Sequence, residues 1–390
     1  MGYGNHKGGA RETVKIGTMT FFGSHNYGSV LQAYALQQFI VDLFQQHRIP
    51  CEYRIIGFRS AQQQALYLPP KADSPRNVVK RLMYLPYKRK IDRQHDKFER
   101  FIAERLFVTE PFSDPSALPE RAADFDVLLS GSDQVWNVRA KDFSYAYLFD
   151  GCGGKKISYA ASLGPLPIDK SRFDAERYAA LLRDFASVSV RETQSREALG
   201  AFLDEERIAL MPDPVFLLSA EEWRKLESEP YPDRYILFYC LEPSKAQIRL
   251  AKRAAKQLGL PVVITGYRNK NDWMNPFVKL YDAGPCDFLS LIDRAALVLT
   301  SSFHGTAFSL IFGKPFLAID GMADARIRDL LTRFGAERNS IAADAREISV
   351  PPVMKDAETV ICGERAKARA YLEEAFGLRE PDRKQKEASI

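Results

Sequence analysis

The stretch Thr300-Ser301-Ser302-Phe303-His304-Gly305-Thr306 sets one histidine among hydroxyls and a glycine. It lies between an apolar run, Ala295 to Leu299, and a mostly apolar segment that ends at Gly313-Lys314-Pro315. That order predicts strand, tight loop and helix, with a further strand from Phe316 to Ile319. A helix N-terminus leaves backbone N–H groups unpaired and favours an anion. There His304 can move a proton beside a phosphate or carboxylate, with Ser301, Ser302, Gly305 and Thr306 around the anion. An ordinary hydrogen-bonded structural histidine is the alternative.

Three further clusters have the same placement after an apolar run. Phe21 to Ser29 follows the β-branched run Val14 to Thr20 and offers Asn26, Gly28 and Ser29 at the start of a helical pattern; this loop and the His304 loop are expected to face each other across a cleft. Gly131-Ser132-Asp133-Gln134-Val135-Trp136-Asn137 follows Phe125 to Ser130. Asp133 can accept from hydroxyls or act as a base, and Gln134 and Asn137 can both donate and accept. Trp136 is either an apolar face for a sugar ring or a core residue. Arg191 follows the strand Ala186 to Val190, where a guanidinium can reinforce an anion site or pair with Glu192 or Glu197. Asp213, between two prolines, reads as a structural turn residue.

The elements that must position these loops alternate strand and helix through both halves of the chain. That pattern predicts an α/β protein of two Rossmann-like, doubly wound, mainly parallel sheets, in which ligands bind at the carboxyl ends of strands. At 390 residues the chain suits two domains. The expected division is a flexible leader or tag at 1–12, a first domain at 13–212 with a basic helical insertion at about 60–115, and a second domain at 213–345. A helical segment at 346–378 and a disordered tail at 379–390 complete it. Between Lys71 and Arg105 basic residues outnumber acidic ones eleven to five, with aromatics interleaved. Residues 76–100 are therefore either a solvated insertion or a peripheral contact with anionic lipid.

Apolar residues make up 46% and charged residues 27%, as in a soluble globular protein, and no apolar run is long enough to span a membrane. A net charge of +5 suits an acidic small molecule or glycan and does not point to nucleic acid. The five cysteines are dispersed without CxxC spacing, which fits reduced thiols in a cytoplasmic protein and no zinc site. No secretory signal is visible. GxGxxG, a Walker lysine, HExxH, GxSxG and a metal-ligand cluster are missing from the linear sequence, so no metal is expected.

Taken together, Asn26 to Leu36, Gly131 to Asn137, Ser158 to Gly164, Val190-Arg191-Glu192, Asp213-Pro214-Val215 and Ser301 to Gly305 resemble the polysaccharide pyruvyl transferase family in order and spacing over roughly residues 15–340. The resemblance implies a GT-B-like fold with the active site between two Rossmann-like domains. It implies transfer of pyruvate from phosphoenolpyruvate, as donor substrate with no cofactor, onto hydroxyls of a cell-surface glycan or its lipid-linked precursor, giving a ketal. His304 and Arg191 fall on the family's histidine and arginine. On this basis His304, Arg191 and Asp133 are the candidate catalytic residues. Asn26, Gly28, Ser29, Ser301, Ser302, Gly305 and Thr306 would bind the donor, and Gln134, Trp136 and Asn137 the acceptor. Several family members carry arginine where this chain has Ser302, so a fixed positive charge is missing there. A GT-B-like glycosyltransferase using a nucleotide-sugar and an inactive glycan-binding relative are the alternatives.

Overall fold

A computed structural model describes residues 13–60, 62, 85–229, 231, 234–266, 275–354 and 356–378. The expected leader, the expected tail and most of residues 61–84, including 76–84 of the basic segment, lie outside the described residues. In the first lobe the chain runs β1 (Val14–Met19), α1 (Tyr27–Gln46), β2 (Cys51–Ile55), α2 (Lys88–Arg105), α3 (Leu118–Ala122), β3 (Val127–Ser130), β4 (Lys155–Ser158), α4 (Ala175–Arg183), β5 (Phe185–Val190), α5 (Thr193–Leu199) and β6 (Ile208–Leu210). After α6 (Ala220–Arg224) the second lobe comprises β7 (Ile236–Tyr239), α7 (Lys245–Leu258), β8 (Val262–Thr265), β9 (Val278–Leu280), α8 (Pro285–Asp293), β10 (Leu297–Thr300), α9 (Phe303–Ile311), β11 (Phe316–Ile319), α10 (Ala325–Arg333) and β12 (Ser340–Ile341), and α11 (Ala357–Phe376) closes the chain.

Each lobe is built on a six-stranded sheet, ordered β2-β1-β3-β4-β5-β6 in the first and β12-β11-β10-β7-β8-β9 in the second. Every strand pairing within them is parallel. The apolar runs at β3, β7, β10 and β11 are buried along their whole length, as expected where helices cover both faces of a parallel sheet. The strands that lack a sequence signal, β6, β9 and β12, are edge strands of three, three and two residues, too short to show a period. Strand order reverses between β1 and β3 in one lobe and between β7 and β10 in the other, and the crevice at such a switch point is where ligands bind. The Phe21–Asn26, Gly131–Asn137 and Ser301–Ser302 loops all leave these strands at their carboxyl ends.

The lobes share one hydrophobic core, running from Val14 and Leu129 to Val298 and Leu331. Helix α1 is buried on nearly every side because it packs against Pro214–Leu217 and against α8 and α9 of the second lobe. The closing helix α11 returns to the first lobe, where Phe376 meets Phe44 edge-on, Arg369 donates to Gln46, and the Tyr371 hydroxyl donates to the Ser158 carbonyl at 2.7 Å. Helix α2 also crosses the divide. Phe98, Phe101 and Ile102 bury its inner face. Lys90 reaches the Lys279 carbonyl, Arg93 pairs with Asp282 at 2.8 Å and Lys97 with Asp287 at 2.6 Å. Three of the basic residues that the sequence marks for an anionic surface thus engage the second lobe. Among the described residues no helix is long and apolar enough to cross a membrane.

Tyr27, the first residue of α1, fastens the lobes together. Its ring stacks on Phe288 at 4.4 Å and on Phe98 at 5.2 Å. Its hydroxyl donates to the Ala283 carbonyl at 2.8 Å, accepts from Gln94 Nε2 at 2.9 Å and lies 3.0 Å from Thr265 Oγ1. Tyr27→Phe strips several buried groups of one partner and is expected to cost about 1–3 kcal/mol. Tyr27→Ala also opens a cavity between the lobes and should cost about 3–5 kcal/mol, an order that urea unfolding of the two variants checks.

Candidate active site

Asp213 stands where the chain leaves the first sheet, and its side chain is fully buried. Its Oδ1 accepts from the Val215 amide at 3.1 Å and caps the short helical turn that follows. Its Oδ2 accepts from Arg191 Nη1 at 2.5 Å and lies 3.4 Å from both Ser132 Oγ and His304 Nε2. The histidine contact is at ion-pair distance without the alignment of a hydrogen bond. One carboxylate therefore gathers residues from the ends of β3, β5 and β10, across both lobes.

Arg191 is 3% exposed. Its Nε donates to Glu192 Oε1 at 2.6 Å, and its guanidinium carbon lies 4.3 Å from the centre of the Phe303 ring, at the start of α9. Glu192 is held in turn by Ser195 Oγ, which accepts from the Leu163 amide. Of the two pairing partners the sequence offers Arg191, Glu192 is the one engaged. Burial disfavours the guanidinium's charge, but Glu192, Asp213 and Asp133 more than reverse this and keep Arg191 firmly protonated. Among the described residues Arg191 Nη2 and His304 Nε2 are both buried without a hydrogen-bond partner.

His304 is 8% exposed. Its other ring nitrogen faces Gly28, where a Cβ would stand 1.9 Å from Nδ1. Glycine is required at 28 by this close approach. Gly305 is similarly pressed, a Cβ there standing 2.4 Å from Thr300 Oγ1. Neighbouring amides are already paired. Asn26 Oδ1 accepts from the Gly28 and Ser29 amides at 3.0 and 3.4 Å. Ser302 caps α9, its Oγ accepting from the Gly305 amide at 3.4 Å and its carbonyl from the Thr306 amide at 3.0 Å. The open helix ends expected from the sequence are thus closed by their own cap residues, Asn26 and Ser302. Ser301 bonds with the Cys240 thiol beside the same strand end.

Asp133 adopts a left-handed backbone, φ 73°, and Ala160 at the end of β4 does likewise, φ 51°. Two such residues at adjacent strand ends mark a constrained site. Asp133 Oδ2 accepts from Ser29 Oγ at 2.5 Å and Oδ1 from the Gln134 amide at 2.9 Å, so it links the first loop to the third. Gln134 and Asn137 are half-buried, and Asn137 Nδ2 donates to Gln134 Oε1 at 2.9 Å. Trp136 departs from its expected acceptor role. It is wholly buried, donates to the Tyr147 carbonyl and packs edge-on against Phe185, so its faces belong to the core.

The structure therefore brings His304, Arg191, Asp133, Gly28 and Ser29 to one interlobe seam and sets Trp136 apart from it. It adds Asp213 and Glu192. A turn signal hides Asp213's role in the sequence; the absence of an exposed partner for Arg191 becomes visible only when the strand ends are juxtaposed.

The two facing Rossmann-like lobes with the site between them define a GT-B-like protein. A putative UDP-N-acetylglucosamine 2-epimerase from Listeria monocytogenes has this fold, with a TM-score of 0.52 at 11% identity over 94% of this chain and 90% of that one. UDP-GlcNAc 2-epimerase from Neisseria meningitidis scores 0.48 at 11% identity over 94% of both chains. No curated protein matches the sequence significantly. Residues 26–321 match the polysaccharide pyruvyl transferase family, and the chain belongs to it.

Two outcomes follow from the geometry. Burial alone would raise the Asp213 carboxyl, but the charges of His304 and Arg191 and the Val215 amide hold it well below its ordinary 3.8. A carboxylate depressed in this way stabilises the fold fully above its unfolded pKa, and that stability is lost as pH falls below it. Asp213→Asn should be less stable by about 3–5 kcal/mol at neutral pH. It should also lack the part of the wild-type acid slope that begins near 3.8, as thermal unfolding across pH will show. Gly28→Ala should displace the His304 ring, lower stability and lower turnover about a hundredfold, with urea unfolding and activity on the folded fraction separating the two effects.

Proposed function

We propose that this family member transfers pyruvate from phosphoenolpyruvate onto two hydroxyls of a glycan or its lipid-linked precursor, forming a cyclic ketal and releasing phosphate. The observation that carries the reading is the seam itself: a cation and an imidazole from opposite lobes, fixed on one buried carboxylate, each with a buried nitrogen left without a hydrogen-bond partner among the described residues. Such nitrogens suit an anion with a basic carbon beside it.

In the proposed reaction His304 delivers a proton to the methylene carbon, so that the adjacent carbon becomes an oxocarbenium-like electrophile. One sugar hydroxyl adds there and loses its proton to Asp133, whose contact with Ser29 places it at the same seam. Phosphate then leaves, and the second hydroxyl closes the ketal. The carbon gains one proton, the hydroxyls lose two, and the remaining proton leaves with phosphate. Arg191 holds the carboxylate or phosphate, while Gln134 and Asn137 orient the acceptor. Because both ring nitrogens of His304 face protein, donor entry requires the start of α1 to withdraw from His304 and the lobes to part. Asn26 and Ser302 act on this reading by shaping the loops through their caps, and Ser301 lies beside them at the end of β10. The acceptor, a peripheral membrane contact and a cytoplasmic setting belong to the same proposal.

Calorimetry with phosphoenolpyruvate and with nucleotide-sugars, followed by mass spectrometry of a lipid-linked sugar panel, tests it. Phosphoenolpyruvate should bind and a ketal should form. His304→Gln should lower turnover by about 10²–10⁴ and Arg191→Lys by about 10²–10³. Binding of a nucleotide-sugar without phosphoenolpyruvate would overturn the reading in favour of glycosyl transfer, and a glycan bound but never modified would favour an inactive relative.

A further inference from the structure

Away from the His304 seam, His25 in the β1–α1 loop meets His95 and Glu99 of α2. One ligand atom from each lies within 4.8 Å of the other two. His25 Nε2 is 2.8 Å from Glu99 Oε1, and the two imidazoles meet edge-on with centroids 4.3 Å apart. The positions are built. His95 and Glu99 are one helical turn apart on one face of α2. Phe98, between them in sequence and wholly buried, anchors that face and stacks on the His25 ring at 5.3 Å. His25 and Glu99 are half-buried and His95 is exposed, so the cluster opens to solvent on one side. No linear motif marks it, because one ligand, His25, comes from a loop seventy residues before His95.

We propose that His25, His95 and Glu99 form a binding site for a divalent transition-metal ion, zinc in the first instance. Two imidazoles and a carboxylate are a three-ligand set that leaves a fourth position for water. Tetrahedral zinc places its ligand atoms about 3.3 Å apart, so the 2.8 Å His25–Glu99 pair would open slightly while His95 closes in from within 4.8 Å, an adjustment of about 1.5 Å at most at an exposed side chain. Arg59 Nη1, 3.5 Å from Glu99 Oε1, is a charge that opposes a cation there; its guanidinium also lies over the Phe22 ring at 5.0 Å, a contact toward which it can withdraw. A bound ion would tie α2, which grips the second lobe, to the loop that delivers Asn26, Tyr27 and Gly28 to the seam. The proposal is independent of the donor and acceptor assigned above.

The test is titration of the purified, chelator-treated full chain with zinc and with cobalt(II). One equivalent should bind, cobalt should give the visible absorption of a four- or five-coordinate site, and the thermal unfolding temperature should rise. His95→Ala, at an exposed position that leaves the fold intact, and Glu99→Gln should each weaken binding at least about tenfold and remove the thermal shift. Wild-type protein that binds no more metal than His95→Ala would overturn the proposal, leaving an ordinary His25–Glu99 ion pair. One equivalent retained undiminished in both variants would overturn it equally, by placing the metal elsewhere.

Discussion

A carboxylate removed from water must be answered by charge, and at Asp213 the answer comes from two lobes at once. A buried ion pair is costly to form and more costly to break, because removing either partner strands the other in a medium of low dielectric. Arg191 is consequently fixed between Glu192 and Asp213, and the backbone that carries it is fixed as well. The Ser132 hydroxyl donates to the Ala160 carbonyl at 2.9 Å and lies 3.4 Å from the same Asp213 oxygen, so the ends of β3 and β4 are placed relative to β5. His304 then completes the arrangement from the second sheet. The order of strands brings these loops near one another, and the buried charge sets their register to within a hydrogen bond.

The seam is closed by contacts of different kinds. Tyr27 and Phe288 bury aromatic area between the lobes, since stacked rings remove large apolar surfaces from water, and they do so within the larger core the lobes share. The α2 pairs to Asp282 and Asp287 involve partly exposed side chains and contribute little energy each. They define an orientation more than they hold it. The lobes thus meet through a shared apolar core and a buried charge cluster, with the partly exposed ion pairs of α2 at its rim.

The alternation of apolar runs and polar loops made both sheets legible in the sequence, and parallel strands buried on both faces explain why: their continuous apolar character needs no partner to be recognised. His304 and Arg191 stood out because chemistry-bearing residues at strand ends are informative in doubly wound folds. Asp213 did not, since a Pro-Asp-Pro segment satisfies a turn as well as a site, and its partners come from twenty-two and ninety-one residues away. Trp136 shows the reverse failure. Its neighbours Asp133, Gln134 and Asn137 gave it a sugar-binding context, yet the turn leaves only Gln134 and Asn137 partly exposed, and its largest apolar residue fills the core. Helix capping was legible as residue type, Asn26 and Ser302, but only geometry shows that the caps consume the amides they sit beside.

Ser302 bears on how an anion could be held. Where several family members carry arginine, this chain places the cap of α9, and an arginine side chain could not supply that acceptor. The fixed charge at the seam is then Arg191, flanked by Glu192 and Asp213, so the cation is outnumbered by carboxylates before any ligand arrives. An anionic donor is opposed by that balance, and the His304 imidazole beside Asp213 is a group in the cluster able to answer it. The protonated ring is also the form able to deliver a proton to carbon. On the proposed reaction, admission of the donor and readiness of the acid therefore draw on the same group, and Ser302, the cap of α9, adds no fixed charge beside it.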